Sequence, residues 1–136
     1  MKLNKKYVVI FALSAVVTLT VAATSDKKEP NDFKNLKVLP KNISSHDLQS
    51  IMADDFDDGL GVSCGFCHSN NKDGHGLDFA SDAKPEKAIA RKMILMTMKI
   101  NKKFFGLKHP VIGAQGLTVT CETCHKGAPF PGDAPK

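Results

Sequence analysis

All four cysteines of the chain fall in two C-x-x-C pairs, each followed at once by a histidine: Cys64-Gly65-Phe66-Cys67-His68 and Cys121-Glu122-Thr123-Cys124-His125. C-x-x-C-H is the attachment signature of c-type haem. Two thiols three positions apart, on a turn entering a helix, can each add to one vinyl group on the same porphyrin edge. The next residue then lies under the iron. The pattern implies two covalently bound haem c groups, attached through Cys64, Cys67, Cys121 and Cys124, with His68 and His125 as proximal iron ligands. Two structural disulfides would leave the histidine after each pair unexplained. A zinc ribbon brings its pairs closer together in sequence, and a thioredoxin-type pair needs a βαβ context that is absent here.

With 136 residues the chain has room for one domain. Lys2, Lys5 and Lys6 precede an uncharged run over residues 7–23 that ends in Val21-Ala22-Ala23. A positive start, an apolar middle and a small-residue exit make residues 1–23 a secretory signal peptide, cleaved after Ala22 or Ala23. The alternative is an N-terminal anchor, since the run is near the lower limit for spanning a bilayer. No cysteine precedes Cys64, so a lipid-modified cysteine is not expected. Residues 1–23 hold three lysines and no acid, so their removal takes the net charge from +5 to +2. The remaining Lys and Arg are spread along the chain rather than stacked on one stripe, so nucleic acid is not an expected partner. Eight phenylalanines and no tryptophan give only a modest core. Two haems would serve as much of it. The fold class expected is therefore mainly α, with few helices and long loops wrapped around two haems.

Residues 24–43 read as an extended lead-in with Leu36, Val38 and Leu39 available to pack, and residues 44–136 as the dihaem domain. Ser44-Ser45-His46-Asp47 is a helix start, with a hydroxyl cap and an acid in the first turn. Leu48, Ile51, Met52 and Phe56 follow at helical spacing, and Asp54, Asp55, Asp57 and Asp58 take the other face. Gly59 is a candidate stop. Four acids oppose the dipole at that end, so the helix needs tertiary support. An Asn-, Gly- and Asp-rich loop follows the first motif over residues 69–76. Ser81-Asp82 then offers a cap for a second helix, with Pro85 in its first turn. Ile89, Met93, Met96, Ile100 and Phe104 form a long apolar stripe on it, ending near Phe105 before Gly106. The proline-containing tail, residues 127–136, reads as extended on the surface.

Each iron needs a sixth ligand. Met52 lies on the helix before the first motif, and Met93 and Met96 lie on the stripe before the second. A methionine on an apolar face is ordinarily core filling, but one per haem motif favours ligation. Met98 sits off the stripe and reads as packing. Solvent exposure is expected for His46 and His75, while His109, between the long helix and the second motif, stays in play as a ligand. Methionine opposite histidine raises the reduction potential relative to two histidines.

Several stretches together resemble the cytochrome c subunit of photosynthetic reaction centres, and more closely its short dihaem relatives in non-photosynthetic bacteria. They are Asn35-Leu36-Lys37-Val38-Leu39, the helix with Met52, Gly61-Val62-Ser63-Cys64-Gly65-Phe66-Cys67-His68 and Phe79-Ala80-Ser81-Asp82. They continue through Arg91-Lys92-Met93-Ile94-Leu95-Met96-Thr97 and Ile100-Asn101 to Thr118-Val119-Thr120-Cys121-Glu122-Thr123-Cys124-His125-Lys126-Gly127. The resemblance implies a repeat of methionine-bearing helix, turn and haem-binding segment. It also implies Met52 as distal ligand of the first haem and Met93 of the second. In the tetrahaem subunits a histidine near the place of His109 serves a haem held elsewhere.

The function expected is that of a periplasmic electron carrier, not an enzyme, passing single electrons through two His/Met-ligated haems. Its partners would be redox proteins or membrane respiratory complexes, with membrane attachment only if residues 7–23 are retained. The alternative is a small haem enzyme of peroxidase or reductase type with one open iron position. A third possibility is a redox-inert subunit docked in a larger complex.

Overall fold

The computed structural model describes residues 32–133. The signal or anchor segment expected at residues 1–23 lies outside the described residues, as do the first part of the lead-in and the last three residues of the tail. Among the described residues, no helix is long and apolar enough to cross a membrane.

The architecture is mainly helical, with long connections. Helix α1 (Ser45–Ser50) starts where Ser44 accepts a hydrogen bond from the Asp47 backbone N–H at 3.0 Å. The helix does not continue in α form. Residues Ile51–Asp58 form a π-helix, whose wider turn changes which side chains share a face. Leu48, Met52 and Phe56 line a cavity, whereas Ile51 turns into the core with Leu39, Ile43, Ile94 and Ile112. Leu48, Met52 and Phe56 also pack against that core, so the apolar face expected from spacing serves both the core and the cavity wall. Gly59 caps the π-helix as expected but keeps right-handed helical angles, and the chain turns two residues later at Gly61, with φ +62°. A side chain at Gly61 would run into the Gly127 carbonyl, and Gly127 N–H donates to the Gly59 carbonyl at 3.2 Å. The approach to the first C-x-x-C-H motif is thereby clamped to the exit from the second.

Helix α2 (Cys64–Cys67) is a single turn that carries the first motif. Strands β1 (Ser69–Asn70) and β2 (Leu77–Asp78) form an antiparallel pair where a plain loop was expected. The Asn- and Gly-rich segment between them closes on itself: Asn71 N–H donates to the Gly76 carbonyl and its side-chain amide to the His75 carbonyl. Gly74 and Gly76 supply the positive φ that this turn needs.

Helix α3 (Pro85–Phe105) is the main strut. Pro85 stands in its first turn and Gly106, at φ +70°, terminates it. The expected Ser81-Asp82 cap does not form. Lys84 occupies the cap position without a side-chain hydrogen bond, because Asp82 is engaged by tertiary cations, bonding Lys37 at 2.6 Å and Arg91 at 2.8 Å.

The buried face of α3 is Ile94, Thr97 and Asn101, while Ile89, Met93, Met96 and Phe104 are exposed. The long apolar stripe therefore points outward. Asn101 accounts for this phase. Fully buried, it donates to the carbonyls of Thr97 (3.0 Å) and Val119 (2.7 Å) and accepts from the N–H groups of Thr118 (2.9 Å) and Val119 (3.1 Å). Met98 packs against the core from the edge of the buried face.

Helix α4 (Cys121–His125) carries the second motif. Thr120 and Thr123 cap it reciprocally, and Lys126 ends it in the left-handed region. In the tail, Ala128 is buried and Pro131–Asp133 forms a 3-10 turn, so this segment is more closely held than the extended run expected.

The Asp82 cluster ties the lead-in to α3. Hydrogen bonds from Lys37 and Arg91 hold the Asp82 carboxyl well below the usual carboxylate range. A depressed folded-state pKa contributes stability that is complete above the unfolded value of about 3.9. That stability is lost as the pH falls below this value towards the folded one. An acid titration of the unfolding midpoint should show this loss in the native chain, and Asp82→Asn should abolish that part of the pH dependence.

Candidate functional site

The first C-x-x-C-H motif opens onto a cavity of about 750 Å³. Cys64, Cys67 and His68 line it from the motif, and Leu48, Met52 and Phe56 from the first helix. Leu36, Val38 and Leu39 contribute from the lead-in, and Ala90, Arg91 and Ile94 from α3. These walls are largely apolar, as a porphyrin face requires. The distal-ligand candidate Met52 and the proximal candidate His68 thus share one cavity.

His68 packs edge-on against Phe79, with ring centroids 5.0 Å apart. Its Nδ1 is buried without a hydrogen-bond partner. Burial, then repulsion from Lys87 and Arg91, push its pKa down. Both effects favour the neutral imidazole, which is the form that ligates a metal. Burial likewise raises Cys67, and all four cysteines are free thiols. Free thiols on one turn beside a neutral imidazole, at the mouth of an apolar cavity, fit a covalently attached haem.

The second motif is built differently. His125 Nδ1 lies 3.0 Å from the Ala128 carbonyl. A donor Nδ1–H there fixes the tautomer and leaves Nε2 as the free lone pair, the orientation that metal-bound histidines commonly show. Cys121 packs against Gly59 and Asp55. Burial, then the Asp55 carboxylate, push its thiol up to about 11. Burial first, and Asp54 second, raise Asp55 in turn. The Met93 and Met96 side chains stand on the outer face of α3, 40% and 47% exposed. Residues Met93, Cys121, Cys124 and His125 are not gathered around the first cavity. Helix α3 thus presents one face to the first site and the opposite face, with both methionines, away from it.

Of the other histidines, His46, His75 and His109 are all exposed. Spacing did not single out Lys87, which lines the first cavity, or Asn101, which holds residues 118–119 ahead of the second motif. A buried asparagine or lysine inside an ordinary helix carries no signal until its tertiary partners are known.

The profile of the family described as photosynthetic reaction centre cytochrome C subunit matches residues 4–134. The chain belongs to that family. Among its relatives, the photosynthetic reaction center cytochrome c subunit of Rubrivivax gelatinosus is 32% identical over 117 residues. That alignment covers 86% of this chain and 28% of the relative. Cytochrome c-554 of Chloroflexus aurantiacus is 36% identical over 95 residues, covering 70% of this chain and 20% of that protein. The chain thus matches less than a third of the length of either relative. No solved structure matches it. As a member of the reaction centre cytochrome c family, the chain takes covalently bound haem c as its cofactor, and both C-x-x-C-H segments have the sequence to attach it.

Proposed function

We propose that the protein is an exported dihaem c-type cytochrome that carries single electrons in the periplasm between redox proteins or membrane respiratory complexes. The observation that carries this reading is the first site, where Met52 and His68 line one apolar cavity beside Cys64 and Cys67. Bound haem c supplies the chemistry, a one-electron change between ferrous and ferric iron.

The residues bind, orient and insulate. Cys64 and Cys67 would anchor one porphyrin edge, with His68 as the proximal and Met52 as the distal iron ligand. Leu36, Leu48, Phe56 and Ile94 exclude water from the faces. At the second site Cys121 and Cys124 would attach the haem, His125 would ligate through Nε2, and Met93 would supply the distal sulfur, with Met96 as the neighbouring alternative on the same face. The exposed Ile89, Met93, Met96 and Phe104 surface on α3 is larger than isolated apolar residues require, and a second porphyrin would cover it. Two complete ligand sets leave no open iron position, which favours a carrier over a peroxidase- or reductase-type enzyme. A signal peptide at residues 1–23 would place the mature chain in the periplasm.

A potentiometric titration of the purified protein followed by visible spectra tests this. Two one-electron components, each with a methionine-to-ferric-iron charge-transfer band, are expected. A single component, or carbon monoxide binding to the reduced native protein at neutral pH, would overturn the reading.

A further inference from the structure

Two cations enter the first cavity from one face of α3. The side chains of Lys87 and Arg91 are only 12% and 15% exposed, and both residues line the cavity wall. Lys87 Nζ donates to the carbonyls of Phe79 and Ser81, both at 2.7 Å. Arg91 donates through Nη1 to Asp82 at 2.8 Å and through Nη2 to the Asn35 carbonyl at 3.3 Å. Asp82 also bonds Lys37 at 2.6 Å and lies 3.8 Å from Lys87. One carboxylate therefore faces three cations.

Among the described residues, Asp82 is the one carboxylate paired with Lys87 or Arg91, and Asp78 adds a weaker attraction on Lys87. Asp78 accepts from the N–H groups of Ala80 and Ser81 at 3.0 Å. Asp32 and Asp57 are exposed residues contributed by the lead-in and the π-helix. A guanidinium has five N–H donors, and the contacts above use two groups of it. Desolvating a cation is costly unless an anion compensates it. His68 lines the same cavity as these two cations.

We propose that Arg91, oriented by Asp82 and reinforced by Lys87, binds the propionate carboxylates of the haem at the first site. Their positive charge also holds that iron towards its ferrous form. This rests on the proposal that Cys64-to-His68 carries a haem. Arg91 and Lys87 are positioning and tuning residues: they touch the porphyrin periphery rather than the iron. A planar guanidinium suits a carboxylate because two parallel N–H donors can meet its two oxygens.

The test uses the haem-loaded protein. Mass analysis of the peptide containing Cys64 and Cys67 first establishes attachment there. Its failure would overturn the first-site reading itself, separately from any variant. Arg91→Gln is then expected to shift the ferrous/ferric equilibrium of the first haem about tenfold towards ferric, 59 mV for one electron. It should also move the propionate-bending band in the resonance Raman spectrum, and Arg91→Lys should restore much of the potential. Lys87→Gln, expected to shift the potential in the same direction, carries the test if Arg91→Gln does not accumulate. Lys92→Gln, the same charge change on an exposed neighbour, controls for net charge. Equal shifts in Arg91→Gln and Lys92→Gln, or an unmoved propionate band, would overturn the proposal.

Discussion

Met52→Ala is expected to abolish the methionine-to-ferric-iron charge-transfer band of one haem and lower that haem's potential, leaving the other unchanged. The side chain lines the cavity with His68, so the proposed role is distal ligation and not packing alone. Methionine is a soft donor that favours ferrous iron. Its loss should move the potential by on the order of 0.1 V, within the range of about 0.8 V that axial ligands can set. The truncation should also let carbon monoxide bind the reduced first site.

A packing role predicts a different result. Removing a partly buried methionine that abuts the core cluster costs on the order of 2 kcal/mol at most for a site that is not fully buried, with the band intact. The two outcomes separate cleanly in one titration with a parallel unfolding curve. An unchanged band in Met52→Ala would remove Met52 from the ligand set.

The parts of the fold legible in the sequence are those governed by local chemistry. The Ser44 cap, Pro85 in the first turn of α3 and the Gly106 terminus all occur where residue type alone demands them. The parts that were not legible are those decided by tertiary partners. Apolar spacing marks a stripe on α3 but not the direction in which it points. Asn101, with four hydrogen bonds, turns its own face of the helix inward together with Ile94 and Thr97. Asp82 has the right residue type to help cap α3, yet three cations from other positions claim it. The π-helix leaves no distinct spacing signal, because Leu48, Met52 and Phe56 satisfy an α-helical pattern equally well. At the candidate site, both C-x-x-C-H segments and Met52 were visible as motifs. The cation pair Lys87 and Arg91 was not, since a Lys and an Arg one turn apart ordinarily read as a solvated face.

Asn101→Leu is expected to be the most destabilising single substitution outside the cysteines and histidines of the two motifs. Leucine has nearly the same shape but makes none of the four hydrogen bonds. It would leave the Thr118 and Val119 N–H groups and the Val119 carbonyl without their present partner. Each buried polar group left unpaired costs about 1–3 kcal/mol. Water can reach exposed Thr118, so the expected total is about 3 kcal/mol, read from the urea midpoint at constant slope. The consequence is local as well as global. Residues 118–120 lead directly into α4, and Thr120 is its capping residue. Loosening them should misplace Cys121 relative to Gly59 and Asp55. Haem attachment at the second motif is therefore expected to fall more than at the first, as measured by the mass of the two motif-bearing peptides. Equal loss at both motifs would mean that Asn101 stabilises the chain generally and does not specifically position the second site. A stability change below about 1 kcal/mol, the worth of one ordinary hydrogen bond, would mean that the Asn101 bonds are readily replaced by water.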